Sequence, residues 1–257
     1  MRKSTFLIPL AMIAAPLPAA AQDDGGGAAT GSAVTVSGSV TGISQYRLRG
    51  ISFSDEGMAV QGGVTAAHKS GFYVGAWASS LAGYGTFGGA NMELDLLGGY
   101  STALGDATID GGLVWYMFPG TNDHQYAELY ASVSYPLGPV KAKLGVNYAP
   151  RRASIGDADN LWVYGDVALP IAGTPVTLKG HVGHTNGEGS IYAGPRGHYF
   201  DYSAGADVAW KRLTFNLSYV GTDIDRDEAD AYYTLPGAKR GREIVDGAAL
   251  FSITAAF

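Results

Sequence analysis

The chain has no cysteine. Disulfides, thiolate chemistry and cysteine metal sites are excluded, and so is the lipidated N-terminal cysteine of a bacterial lipoprotein. Charge is also scarce. Asp, Glu, Lys and Arg make up 16% of the 257 residues, where about a quarter is usual in a soluble domain. Bases are the rarer sign, with 17 Lys and Arg against 23 Asp and Glu. The basic footprint of a nucleic-acid binder is therefore missing, and no nucleic-acid partner is expected. Beyond residue 21 no apolar run is long enough to cross a bilayer as a helix. Yet 46% of the chain is hydrophobic. Apolar residues that are abundant but never contiguous must be spread by alternation. Glycine and tyrosine are plentiful, at 38 and 16, which suits strands, tight turns and interfacial aromatic belts.

Residues 1–21 have the layout of a signal peptide. Arg2 and Lys3 form a positive start, Phe6 to Leu17 an apolar stretch, and Ala19-Ala20-Ala21 a small-residue cleavage site. Cleavage is expected before Gln22. Pro9 and Pro16 interrupt the apolar stretch, which is too short for a membrane anchor. Without Arg2 and Lys3 the 17 bases become 15 against 23 acids, so the mature chain is more acidic. Residues 22–33, QDDGGGAATGSA, read as a flexible periplasmic tail.

Residues 34–257 read as strands of period two. Val34, Val36, Val40, Tyr46 and Leu48 share one parity, while Thr35, Ser37, Ser39, Thr41, Gln45, Arg47 and Arg49 share the other. Twelve segments are expected, at about 34–51, 57–68, 71–82, 90–104, 106–118, 124–137, 139–149, 159–170, 174–186, 199–211, 212–224 and 244–257. Short turns such as 69–71, 104–106 and 137–139 alternate with longer connections such as 150–158, 187–198 and 225–243. The expected fold is all-β: one antiparallel transmembrane barrel of about 12 strands, with short periplasmic turns, longer external loops and both ends in the periplasm. At the C-terminus Phe251, Ile253, Ala255 and Phe257 are apolar at alternate positions. This is similar to the terminal signal read by the barrel-assembly machinery. An open edge in hydrocarbon costs several kcal/mol per unpaired backbone group, so the last strand should pair with the first.

The segments QYRLRGISFSDEGMAVQGGVTAAH (45–68), SGFYVGAWASSL (70–81), ELDLLGGYS (93–101) and YAELYASVSY (126–135) carry a resemblance to a known family. They resemble the proteobacterial TorF-type porins. RLRGIS and GFYVGAWAS are its more specific parts. The resemblance implies an outer-membrane location and a channel role, with no substrate and no catalytic residues.

Parity places Arg47, Arg49, Glu93, Asp95, Asp110, Glu128, Lys141, Lys143, Asp166, Lys179, His181, Asp201, Asp207 and Asp246 on the lumen face. That is eight acids against five Lys or Arg. Lys141 and Lys143 are expected between Glu128 and Asp166 on neighbouring strands. Twelve strands lie between the side-chain-filled eight and the open sixteen. Two readings follow. One is a narrow, weakly cation-selective pore for small solutes or ions. The other is a surface protein, structural or adhesive, whose charges pair across a closed lumen. Tyr73, Trp115, Tyr135, Tyr148, Trp210, Tyr219 and His184 are expected in the lipid interface. Asp223, Asp225, Asp227 and Asp230 have calcium-loop spacing, but Glu228 replaces the turn glycine and Thr234 the bidentate glutamate. Lys239, Arg240 and Arg242 are candidate contacts for lipopolysaccharide. No serine partner can be placed for any of the five histidines, so no catalysis is expected, and no cofactor or metal. The expected partners are outer-membrane lipid, the assembly machinery and small permeant solutes.

Overall fold

The computed structural model describes residues 32–121 and 123–257. The proposed signal peptide and residues 22–31 of the tail lie outside the described residues. Fourteen strands form: β1 (Val34–Ile43), β2 (Arg47–Leu48), β3 (Ile51–Ser52), β4 (Ala59–His68), β5 (Phe72–Ser80), β6 (Met92–Leu104), β7 (Ala107–Met117), β8 (Tyr126–Leu137), β9 (Val140–Arg152), β10 (Ala158–Pro170), β11 (Val176–Asn186), β12 (His198–Trp210), β13 (Leu213–Thr222) and β14 (Ala248–Ala256). Two helices, α1 (Arg226–Tyr233) and α2 (Gly241–Val245), lie between β13 and β14.

Twelve of the strands close into an antiparallel barrel, in the order β1-β14-β13-β12-β11-β10-β9-β8-β7-β6-β5-β4. The seam joins β1 to β14, with Ser39 opposite Ala256 and Ile43 opposite Ser252. Gly38 and Phe257 finish it by exchanging two backbone hydrogen bonds of 2.9 Å. The chain end thus leaves no open edge between these strands. Alternation puts Val36, Val64, Phe72, Leu96, Leu144, Val182 and Leu217 on the outer face, where all are exposed. An exposed apolar wall around a polar interior is the pattern a bilayer requires. The terminal residues Phe251, Ile253 and Phe257 point outward as well. Connections 69–71, 105–106, 138–139, 171–175 and 211–212 share one end with the first and last strands. Connections 44–58, 81–91, 118–125, 153–157, 187–197 and 223–247 share the other.

The first segment departs from expectation. The wall strand stops at Ile43, not at 51. Residues 45–54 leave the wall and are buried as the small β2–β3 hairpin, which forms its own two-stranded sheet. Tyr46 and Leu48, expected toward lipid, are 1% and 7% exposed. The last segment also starts later than expected, because Ile244 and Val245 belong to α2.

Candidate functional site: the lumen and its inserted hairpin

The hairpin turns at Arg49-Gly50, both with positive φ, 48° and 83°. A two-residue loop with both φ values positive matches the twist of its flanking strands. Glycine is required at the second position for a further reason: an added Cβ would lie 2.4 Å from Thr222 Cγ2 on the wall. On one side the hairpin is aromatic. Phe53 packs against Tyr46, Tyr84 and Phe87 with ring centroids 5.7–6.0 Å apart. Tyr46 also meets Trp77 of β5 at 5.6 Å. These rings join Phe118, Tyr192, Tyr233, Ile244 and Val245 in an apolar cluster that fills the long-loop end. The cavity between the hairpin and Tyr84, Tyr192 and Tyr199 is about 10 Å³, the space of one water.

The hairpin's polar atoms are tied to the wall, to the last long loop and to one another. Tyr46 donates its hydroxyl to Glu93 Oε2 at 2.8 Å. Arg47 donates from Nη1 to the carbonyls of Gly50 and Asp246, both at 2.7 Å, and from Nε to Gln45. Arg49 Nη2 lies 2.7 Å from both oxygens of Glu128. Its Nη1 donates to Asn160 Oδ1 at 2.9 Å, and its guanidinium carbon sits 4.7 Å from the Trp162 ring centroid. Glu128 also accepts from Asn147 Nδ2 at 2.9 Å and from the Tyr116 hydroxyl at 3.2 Å. Arg47 and Arg49 are therefore inside the barrel, but on an inserted loop rather than on the first wall strand.

Toward the short-turn end the lumen becomes wetter. The Arg49 and Glu128 side chains are 5% and 1% exposed. His181, Asp166 and Lys179 are 20%, 34% and 30% exposed. His181 bridges two carboxylates, with Nδ1 2.6 Å from Asp166 and Nε2 2.8 Å from Asp201. That geometry suits a ring that donates from both nitrogens. Trp162 Nε1 donates to the other oxygen of Asp201 at 2.9 Å. Lys179 pairs with Asp207 at 3.4 Å, and Asn216 donates to the same carboxylate at 2.7 Å. Lys143 lies opposite Asp166 in the β9–β10 register and 5.4 Å from the Tyr164 ring. Glu93 and Asp95 are buried on β6 beside the hairpin. Lys141 shares the parity of Lys143, nearer the short-turn end.

Several expected positions change. Glu128 is not a partner of Lys141 and Lys143 but of Arg49, a residue no parity argument brings near it. Asp246 is not on the last strand. It follows α2 and pairs with Arg226 at 2.6 Å in the loop. Tyr73 does not face lipid: its hydroxyl donates to Asp110 at 2.8 Å and meets the Tyr130 hydroxyl inside the lumen. Room for the pair comes from Gly99, where a Cβ would fall 2.4 Å from both hydroxyls. Tyr116, Asn147, Asn160 and Trp162 also line the site, and formal charge does not mark them. Their signal was available, since Asn147 has the parity of Lys143, and Asn160 and Trp162 that of Asp166.

The acidic loop is organised by a helix cap and ion pairs. Asp225 caps α1, accepting from the backbone N–H groups of Asp227 and Glu228 at 3.0 and 3.1 Å. Asp227 and Asp230 both engage Arg242. Backbone N–H donors hold the Asp225, Asp230 and Glu243 carboxyls below the ordinary carboxylate range. Lys239 and Arg240 pair with Glu243 at 3.7 and 3.3 Å.

These features define a closed, twelve-stranded transmembrane β-barrel whose first long loop folds inward. Residues 27–257 match the family of bacterial proteins of unknown function named Gcw_chp, and the chain belongs to that family. No curated protein matches it. Among solved structures, the NanC porin is 11% identical with a TM-score of 0.58, the alignment covering 86% of this chain and 98% of that one. The likeness is one of fold. Outer-membrane-expressed OmpT of Vibrio cholerae is 12% identical (TM-score 0.44, covering 88% of this chain and 98% of that one). The anion-selective porin from Comamonas acidovorans is also 12% identical (TM-score 0.41, covering 87% and 99%).

Proposed function

We propose that the protein is an outer-membrane channel for passive diffusion of small solutes or ions, weakly cation-selective, with the hairpin as its closed gate. The observation that carries this reading is the nature of the obstruction. The wall leaves a charged, water-accessible lumen in its short-turn half. In the other half the passage is filled by loops rather than by wall side chains alone, and the hairpin of residues 45–54 is buried among them. The TorF-type resemblance supports the reading, since its RLRGIS segment is the hairpin itself. The outward apolar belt and the alternating terminal residues Phe251 to Phe257 support placement in the outer membrane by the assembly machinery. Lys239 and Arg240, on the external loop, are the proposed contacts for lipopolysaccharide phosphates.

The second reading, a closed-lumen surface protein, is favoured by the apolar packing of Tyr46 and Phe53. Liposome swelling and single-channel recording separate the two. The channel reading expects brief openings of the intact protein and a steady conductance when residues 46–53 are replaced by a short Gly-Ser link. A folded, inserted variant that stays electrically silent supports the closed-lumen protein.

A further inference from the structure

We infer that the lumen contains a guanidinium-binding site, filled in the closed state by the protein's own Arg49. The site has three parts on two wall strands, β8 and β10. Glu128 of β8 supplies the carboxylate, Asn160 of β10 a neutral acceptor at 2.9 Å, and Trp162 of β10 a flat face at 4.7 Å. Glu128 and Asn160 are each 1% exposed. A guanidinium differs from an ammonium in being planar, in offering diverging donors and in stacking on aromatic faces. The Arg49 head uses all three properties. Nη2 goes to Glu128, Nη1 to Asn160, and the guanidinium carbon sits over the Trp162 ring.

The site does not depend on Arg49 for its shape. Asn147 and Tyr116 hold Glu128 from the wall. Trp162 is fixed by its hydrogen bond to Asp201 and by stacking on Tyr164 at 4.2 Å. A preorganised carboxylate and indole therefore remain if the arginine leaves, with Asn160 buried beside them. The contact with the hairpin also differs from ordinary loop packing. Arg49 holds a backbone conformation unusual for a non-glycine residue and delivers its charge to a carboxylate 79 positions away. The ligand class is small guanidinium-bearing cations, which compete with Arg49 for one place. As a statement about permeants, this rests on the channel reading above. As a statement about binding, it does not.

The test uses methylguanidinium as the probe and methylammonium and sodium, at equal ionic strength, as controls. The full-length Arg49→Ala protein should unfold at lower temperature in a semi-native gel. Millimolar methylguanidinium should raise that temperature again, with the controls at least about tenfold less effective. The wild type, its site filled, should respond little, and Arg49→Ala with Glu128→Gln should not respond. The barrel lacking 46–53 is the second vehicle, needed if Arg49→Ala does not fold. There methylguanidinium should block or slow potassium current, and Glu128→Gln should relieve it. If neither vehicle distinguishes methylguanidinium from methylammonium, Arg49 is only a staple and the inference is overturned, even if the barrel conducts. Binding by Arg49→Ala in a barrel that never conducts would retain the site and remove the channel.

Discussion

Arg49 occupies φ 48°, a left-handed conformation that costs an L residue roughly 1–2 kcal/mol. Its buried contact with Glu128 offsets that cost only while both charges are present. Removing either partner leaves the other in a site of low exposure, which destabilises by about 3–5 kcal/mol, whereas replacing both with neutral groups restores most of the loss. Arg49→Met or Glu128→Gln should therefore each lower the temperature at which the folded gel band disappears, and the double variant should recover much of it. A double variant as unstable as the sum of the singles would show that the two residues do not act as a pair. A second residue-scale prediction concerns Asp225, Asp230 and Glu243. Their carboxyls are held down by backbone N–H donors. Groups with depressed values stabilise the loop above the unfolded pKa, and the gain is lost as pH falls through the folded value. The window is acid, below about pH 4. Proteolysis of the 223–247 connection should be slow at neutral pH and faster below that window. Asp225→Asn with Asp230→Asn should flatten the dependence, and equal protection at both pH values in the parent would contradict it. Parity places both Arg49 and Glu128 on the lumen face in the sequence. It could not pair Arg49 with Glu128, because that contact depends on where a loop goes.

At the scale of elements, the inserted hairpin was the part least legible. Its residues alternate as a strand does because β2 and β3 are themselves strands, so parity continued smoothly past Ile43. A length signal was present. A tilted membrane strand needs about 9–11 residues, and the segment 34–51 is far longer. The Arg49-Gly50 step was the other signal, weaker than the Asn-Gly usual in such turns. The wall strands were legible because burial on one face and lipid on the other impose a period of two on each. Gly50 gives this element its test. Gly50→Ala must move the hairpin, since the new Cβ meets Thr222 Cγ2 at 2.4 Å and the Gly221 carbonyl oxygen at 3.0 Å. The chain has no native cysteine, so Phe53→Cys reports the movement cleanly. Labelling by a bulky impermeant thiol reagent should be slow with Gly50 present and several-fold faster with Gly50→Ala. An unchanged rate would mean that the turn is not wedged against the wall.

For the whole molecule, the consequence of these placements is a lumen whose charge depends on the hairpin. The wall contributes Glu93, Asp95, Asp110, Glu128, Asp166, Asp201 and Asp207 against Lys141, Lys143 and Lys179. Arg47 and Arg49 arrive only with the hairpin, and Asp246 is absent from the wall. The acidic excess is therefore larger with the hairpin withdrawn than with it inserted. A narrow lumen between low-dielectric walls focuses such a field and concentrates cations. Lys179 pairs with Asp207, His181 lies against Asp166 and Asp201, and Lys143 is opposite Asp166. Glu93, Asp95 and Glu128 are grouped where the hairpin now sits. Selectivity should thus be set at that level and not at the short-turn mouth. In a planar bilayer under a potassium chloride gradient, the barrel lacking residues 46–53 should reverse on the cation side. Glu93→Gln with Asp95→Asn should reduce that potential, while Asp207→Asn should leave it nearly unchanged. The preference should weaken at high salt, because the screening length falls from about 10 Å at 0.1 M to about 3 Å at 1 M. Anion selectivity in the hairpin-free barrel would overturn the placement of the deciding charges. A potential governed by Asp207 would move the constriction to the other end of the lumen.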